Sequence, residues 1–523
     1  MNTMKKILIT SATAILLLFS TLSCSKILDK EPPAMYEMDV LLTTEGMRAL
    51  LNGAYSIMSG SGYYGQLLYL YEAAKGPDFF VRPTEAGANL RDEARYTHTE
   101  RTNRNARSLW ETIYRAIRNL TVIIENIDEV QGETEELRRI LGEAYFLRGL
   151  CYFDLMRLFA YPPIFSIPGH ERYHEQFRWG VPVITTVSKG SDLLERTVRR
   201  ETADSTYRFI IENFELAYQF LEGRPLVPGR VNSATVKALL IRTYLYLENW
   251  LRVVNLGEEW ITKYGSRYAM IPYESWQTTY YTPFNSESIW EFNYTATENL
   301  GGSSLNFWVR RPTWNEPGSE RDGKVSRNEG HNKLGLTWGA TTRGRDFLEF
   351  YPNDVRRYLI CEMGIEGLPD YMTVRKYVGN PTHSVHNIPV VRLPEIYLSM
   401  AEAYANMGAV AQAAHYLSMV SQPRRRATVS VASATDVLNE RRRELILEGH
   451  TYWDHFRTAR NITSRQVIES INHTSINFGT ITSRHYRVVY AIPLSELDAN
   501  VAIRDQQNPG YGPWNPAIGQ DDD

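Results

Sequence analysis

Cysteine is nearly absent. The 523 residues hold three, Cys24, Cys151 and Cys361. Thiols so few and so far apart cannot form the disulfide framework that stabilises small secreted domains. Cys151 lies in the helical apolar stretch RGLCYFDL and reads as a buried free thiol rather than a ligand. An excess of one charge is missing too. With 57 Lys and Arg against 60 Asp and Glu, there is no basic stripe to hold nucleic-acid phosphates. Beyond residue 24 no apolar run is long enough to span a bilayer. Neither a G-x-S-x-G nucleophile elbow nor a Walker phosphate loop occurs, so two common catalytic classes have no carrier.

The N-terminus carries the strongest local signal. Lys5 and Lys6 precede the uncharged run ILITSATAILLLFSTL, which ends at LSC. That order is a signal peptide over residues 1–23, too short and wrongly flanked for a transmembrane helix. A cysteine at the cleavage point predicts a lipoprotein whose first mature residue, Cys24, carries the lipid. No cofactor is expected.

Helical periodicity dominates the rest. Leu109, Ile113, Ile117, Leu120, Ile124 and Ile127 step at three and four through LWETIYRAIRNLTVIIENID. The stretch EELRRILGEAYFLRGLCYFDLMRLF repeats the pattern, with small Ala144 and Gly149 among bulky neighbours. The short polar turn EVQGET between them makes an antiparallel hairpin of the tetratricopeptide type. Similar pairs occur at 201–250 and 393–420, and TDVLNERRRELILEGHTYWDHFRTAR reads as one further helix. The expected fold is mainly α, an array of helix hairpins with a large irregular insertion. Its parts are a helical region over 24–270, an aromatic-rich insertion over 271–390 and a second helical region over 391–523, forming one compact unit.

Three short motifs offer chemistry. HERYH, residues 170–174, spells H-E-x-x-H, which on a helix would set His170 and His174 one turn apart to bind zinc, with Glu171 as base and Glu195 as a further ligand. Pro168 and Gly169 precede it and Pro182 follows, so a surface insertion is the expectation and a zinc peptidase the rival. GSGYYG, residues 60–65, matches G-x-G-x-x-G but follows a helix where a dinucleotide fingerprint follows a strand, so it reads as a loop. NERRREL places Glu440, Glu444 and, further on, Glu448 at i+4 spacing, which predicts ion pairs along the helix surface.

Aromatic residues are plentiful: 11 Trp, 33 Tyr and 18 Phe. Trp276, Trp290, Trp308, Trp314 and Trp338 fall in the loop-rich insertion, where a packed core is least expected. A sugar ring offers an apolar face to a flat aromatic and a rim of hydroxyls to amides and guanidinium groups. Trp308, flanked by Asn306 and Arg310, has that company, as do Trp314 beside Asn315 and the pair Tyr280 and Tyr281.

Several stretches in order resemble the SusD/RagB family of outer-membrane nutrient-binding lipoproteins. CSKILDKEPP is similar to the family's opening after the cysteine, and the Trp110 and Tyr114 helix and EAYFLRGLCYFDL to its first hairpin. RLPEIYLSMAEAYANMG, NERRRELILEGHTYWDHFR and YAIPLSELDAN resemble its closing segments. QPRRRA is shorter than the usual linker, and the stretch around 161–182, where HERYH lies, is longer than the usual turn. The resemblance implies a non-catalytic oligosaccharide-binding protein anchored to the outer membrane. Such a protein would hand its ligand to a SusC-like TonB-dependent transporter. Some relatives serve peptide importers, so a peptide-binding lid is the alternative. It also implies that Tyr63, Tyr64 and Asn103 build the second wall of the ligand site.

Overall fold

The computed structural model describes residues 42–81, 90–187, 198–309, 334–336, 351, 353–363, 371–374, 376–377, 385–463 and 480–512. The signal run, Cys24, Glu195, Arg310, Trp314, Asn315 and Trp338 lie outside them. The molecule is mainly α-helical. Helix α1 spans Thr44–Ser59, α2 Leu67–Lys75, α3 Arg104–Asn126 and α4 Thr134–Phe159. They are followed by α5, Ala203–Leu221, α6, Ser233–Tyr246, and α7, Trp250–Tyr264. The C-terminal region adds α8, Leu393–Asn406, α9, Val410–Arg425, α10, Ala434–Glu444, and α11, Thr451–Arg457.

Capping fixes where the helices start. The Asn103 side chain accepts the Ala106 N–H at 2.8 Å and opens α3. Asn232 accepts from Ala234 and Thr235 at 3.0 and 3.1 Å and opens α6. Such caps satisfy orphan donors of the first turn and are each worth about 1 kcal/mol. From α3 to α9 each helix packs against the next, which is the tetratricopeptide-like array expected of the sequence. The close fit of α4 on α5 depends on small residues. A β-carbon on Gly149 would stand 2.8 Å from the Phe214 ring. No helix among the described residues is long and apolar enough to cross a membrane.

The irregular region leaves after α7 and returns at α8, yet these two helices still pack together. Strand β4, Ser288–Phe292, and strand β8, Ile388–Arg392, pair antiparallel and close its two ends. The other strands are short. They form four two-stranded sheets: β1, Phe79–Val81, with β5, Leu334–Leu336; β2, Trp179–Pro182, with β3, Arg200–Thr202; β6, Ile360–Met363, with β7, Tyr371–Val374; and β9, Ile462–Thr463, with β10, Thr480–Ile481.

One expected helix is broken. The sequence predicts a continuous helix from Thr435 to Arg460, but α10 stops at Glu444 and α11 starts at Thr451. Between them Leu447 and Gly449 adopt φ of 58° and 77°. The backbone groups this frees find tertiary partners. Lys376 donates to the Glu444 and Ile446 carbonyls, Tyr377 to that of Leu447 and Arg157 to that of Gly449. The Glu72 carboxylate accepts the Gly449 and Thr451 N–H groups at 3.2 and 2.9 Å. A buried carboxylate at the first turn of α11 also suits the helix dipole. Tertiary satisfaction of these groups outweighs helical periodicity here.

The acidic residues of NERRREL are paired, though mostly not along their own helix. Glu444 accepts from Arg356, Arg392 and Arg424, and Glu440 from Arg356 and Arg425 as well as from neighbouring Arg443. Glu448 pairs with Arg392, and Lys376 joins it. All are buried. The network ties α9 and α10 to residues 287, 354, 356 and 376, all of which lie in the irregular insertion.

Candidate functional site

The loop at 60–65 and the segment at 299–309 come from opposite ends of the chain's first three hundred residues, and they dock on each other. The Leu305 N–H donates to the Gly65 carbonyl at 3.1 Å, and Gln66 Nε2 to the Ser304 carbonyl at 3.3 Å. Gly65 is required there: a β-carbon would stand 2.4 Å from both Leu300 Cδ1 and the Ser59 carbonyl. Asn306 then donates to the Tyr377 carbonyl at 2.5 Å, which fixes the short helix Leu305–Val309 onto the 376–377 segment.

Two layers result. The inner layer is buried and made of Tyr63, Tyr64, Tyr69, Phe292 and Tyr377, with ring centroids 4.6 to 6.5 Å apart in the pairs that touch. The Tyr63 and Tyr64 hydroxyls donate to Asp154 of α4 at 2.5 and 2.7 Å, and Arg157 closes the cluster on the same carboxylate. Burial and the neighbouring Asp154 carboxylate push both phenols far above their usual range, so they stay neutral donors. The outer layer is half-buried. Tyr294 and His386 lie nearly parallel, 24° apart at a centroid distance of 6.5 Å, and His386 also touches Tyr377 at 5.2 Å. Tyr294 is held by its hydroxyl on the Ser59 carbonyl at 2.5 Å and by its N–H on Asn387 Oδ1 at 3.0 Å. Asn387, itself partly exposed, is the amide that borders it. A rigid aromatic face with an amide at its border can take the flat side of a sugar ring and bond its hydroxyls.

The structure places the sequence-predicted residues unevenly. Tyr63 and Tyr64 reach this cluster, but at 0% and 2% exposure they sit beneath the face, not on the wall expected of them. Trp308 belongs to the same region and is also buried, at 5%. Asn103 is elsewhere, buried at the start of α3 as its cap. Tyr280 and Tyr281 are half-buried. Tyr280 stacks on buried Trp276 at 4.8 Å with the Arg392 guanidinium 5.7 Å from its ring, so this pair covers the ionic network. Sequence reasoning missed Tyr294 and His386. Tyr294 lies in FNYTATEN, an aromatic between asparagines, the same signal that singled out Trp308. His386 carried none.

HERYH is not helical. Residues 168–172 form turns, with Gly169 at φ 100°, and His174 caps a 3-10 turn over Glu175–Phe177. His170 faces Glu248 at 3.4 Å, while the His174 ring lies 5.5 Å from Phe177. The pair therefore lacks the common face a zinc site needs. Among the described residues no group of three or more His, Cys, Asp or Glu is placed to hold a metal ion. Cys151 is a free, buried thiol, as its sequence context indicates.

The described residues form a tetratricopeptide-like helical scaffold with an aromatic face on its irregular insertion. Residues 26–245 match the family model described as starch-binding associating with outer membrane, and residues 366–511 match that of the SusD family. The chain belongs to the SusD family, whose members are carbohydrate-binding proteins associated with the outer membrane. SusD-like protein P25 of Formosa agariphila is 22% identical over 95% of this chain and 98% of its own length. A solved SusD superfamily protein of Bacteroides thetaiotaomicron has 27% identity and a TM-score of 0.75, covering 89% of this chain and 100% of that one. One from Bacteroides vulgatus has 26% identity and a TM-score of 0.75, covering 90% and 99%. A laminarin-binding SusD-like protein shares the fold at 21% identity and a TM-score of 0.68, covering 89% and 99%.

Proposed function

We propose that this chain is a cell-surface glycan-binding lipoprotein, anchored through Cys24, that captures an oligosaccharide and delivers it to a SusC-like TonB-dependent transporter. It is not an enzyme in this reading. The observation that carries it is the half-buried Tyr294 and His386 face, braced from below by the Tyr63, Tyr64 and Asp154 cluster. Family membership and the laminarin-binding neighbour support a glucan among the ligands to be tried first. Arg310 and Trp314 belong to the same stretch of sequence and complete the proposed ligand set, with residues 24–523 acting as one unit. A peptide ligand is the competing reading.

The test is titration of the mature chain with laminarin, starch and xylan oligosaccharides and with a matched set of peptides. Saturable binding of one glycan and none of the peptides is expected. Peptide binding alone contradicts the reading. Delivery is tested separately by co-purification: a TonB-dependent barrel should be retained on the tagged, membrane-extracted chain. The anchor is tested by Cys24→Ser, which should move the protein out of the membrane fraction.

A further inference from the structure

A second concave site lies between the loop that enters α6 and the segment that enters β4. It is a cavity of about 210 Å³, lined by Leu226, Gly229, Tyr268, Phe284, Ser286 and Trp290 among others. Three features set it apart. Among the described residues Phe284 and Leu226 are two of the exposed large apolar side chains, at 40% and 39%, and both stand on this one cavity. Phe284 also has a φ of 53°, a left-handed conformation that a bulky side chain rarely takes. Its N–H is clamped on Glu291 Oε1 at 2.6 Å, and Ser288 holds the other carboxylate oxygen at 2.8 Å. The strained turn that lifts the ring is therefore built in.

The third feature lies deeper. Tyr268 is 7% exposed, and its hydroxyl sits near Asn232 and Arg267 yet outside hydrogen-bond geometry with either. A buried hydroxyl without a partner costs stability unless a ligand or water supplies one. Of the charges on the cavity, Arg267 stands exposed at the lining and the others are engaged. Arg230 pairs with Glu143 at 2.9 Å, and the Glu291 oxygens take the Phe284, Ser288 and Asn387 donors. Such a lining suits a neutral ligand with hydroxyls and an apolar face. The volume lies below that of ordinary drug-sized pockets, which limits the ligand to a single ring.

We propose that this cavity is a second saccharide subsite that holds one pyranose ring, packed on Phe284 and Leu226 and hydrogen-bonded to the Tyr268 hydroxyl. It rests on the glycan-binding reading but not on the Tyr294 face. A protein with both could hold two ends of one branched or folded glycan, or two chains at once.

The test uses methyl glycosides of glucose, mannose, galactose and xylose as probes, with hydrogen exchange and titration on the mature chain. Exchange should slow at 226–232 and 284–291 with at least one probe. Phe284→Asn removes the ring and keeps a residue that tolerates left-handed backbone, so it should weaken that probe about tenfold or more without lowering the melting temperature. Tyr268→Phe should weaken it several-fold while leaving the unliganded protein as stable or slightly more so, because no hydrogen bond is lost. If oligosaccharides protect the Tyr294 face but no probe protects the cavity, or if both variants bind as wild type, the subsite is overturned and the main reading stands. If a probe protects the cavity and no oligosaccharide protects the Tyr294 face, the subsite stands and the main site is misplaced. If nothing binds, both fail.

Discussion

Arg424 Nη2 meets Glu287 Oε1 at 2.6 Å, joining side chains 137 residues apart. Both are fully buried, and Arg424 also reaches Glu444 at 2.9 Å. This contact fastens the start of the irregular insertion to α9 and α10, and it adds buried ion pairs to the β4–β8 pairing that flanks Tyr294 and His386. Removing one partner of a buried pair costs about 3–5 kcal/mol, because the other charge is left without compensation. Arg424→Met should therefore cost that much in chemical denaturation. Glu287→Gln together with Arg424→Met should cost less than the sum of the singles.

The same network fixes an acid limit. Burial alone would raise Glu440, but Arg356, Arg443 and Arg425 outweigh it and bring it from 4.5 to about 2. A carboxyl lowered in the folded state adds stability above its unfolded pKa and loses it as pH falls towards the folded value. Melting temperatures should therefore drop between pH 4.5 and about 2, and Glu440→Gln should reduce that slope. Glu72 acts in the opposite sense. Burial, with Asp78 beside it, lifts it from 4.5 to about 7, so its contribution is lost as pH rises through that window. Glu72→Gln should flatten the neutral arm and leave the acid arm unchanged.

The docking of the two loops gives a third prediction. Gly65→Ala forces a methyl group onto Leu300 and the Ser59 carbonyl, and the backbone contact cannot yield as a flexible side chain would. We expect a loss of about 1–3 kcal/mol of stability, the usual cost of overpacking. Hydrogen exchange should rise at 299–309, and glycan affinity should fall with it.

Much of the helical array was legible in the sequence, because Leu109, Ile113, Ile117 and Leu120 repeat at helical spacing, whereas Asn103, expected at the ligand, is the cap of α3. The break at Leu445–His450 was not, since the periodicity runs straight through it. What breaks it is Glu72, Arg157, Lys376 and Tyr377, each distant in sequence. The site was half legible. Composition pointed to aromatics in the insertion and the family resemblance to the tyrosines of the glycine loop, and these regions do meet. Which ring faces outward depends on layering: Tyr63 and Trp308 lie under the surface and Tyr294 on it, although Trp308 and Tyr294 have similar polar company in sequence.

That layering is the centre of the account, and two alanine variants test it. Each is measured by calorimetric titration with the bound oligosaccharide and by thermal unfolding. Trp308→Ala should lower the melting temperature, as large-to-small changes in a core cost about 3–5 kcal/mol. Tyr294→Ala is the more direct measurement. It should lower the melt less than Trp308→Ala does and cost about 1–3 kcal/mol of binding, roughly ten- to two-hundredfold in affinity. Wild-type affinity in Tyr294→Ala, with an intact melt, would contradict the assignment of this face as the glycan site.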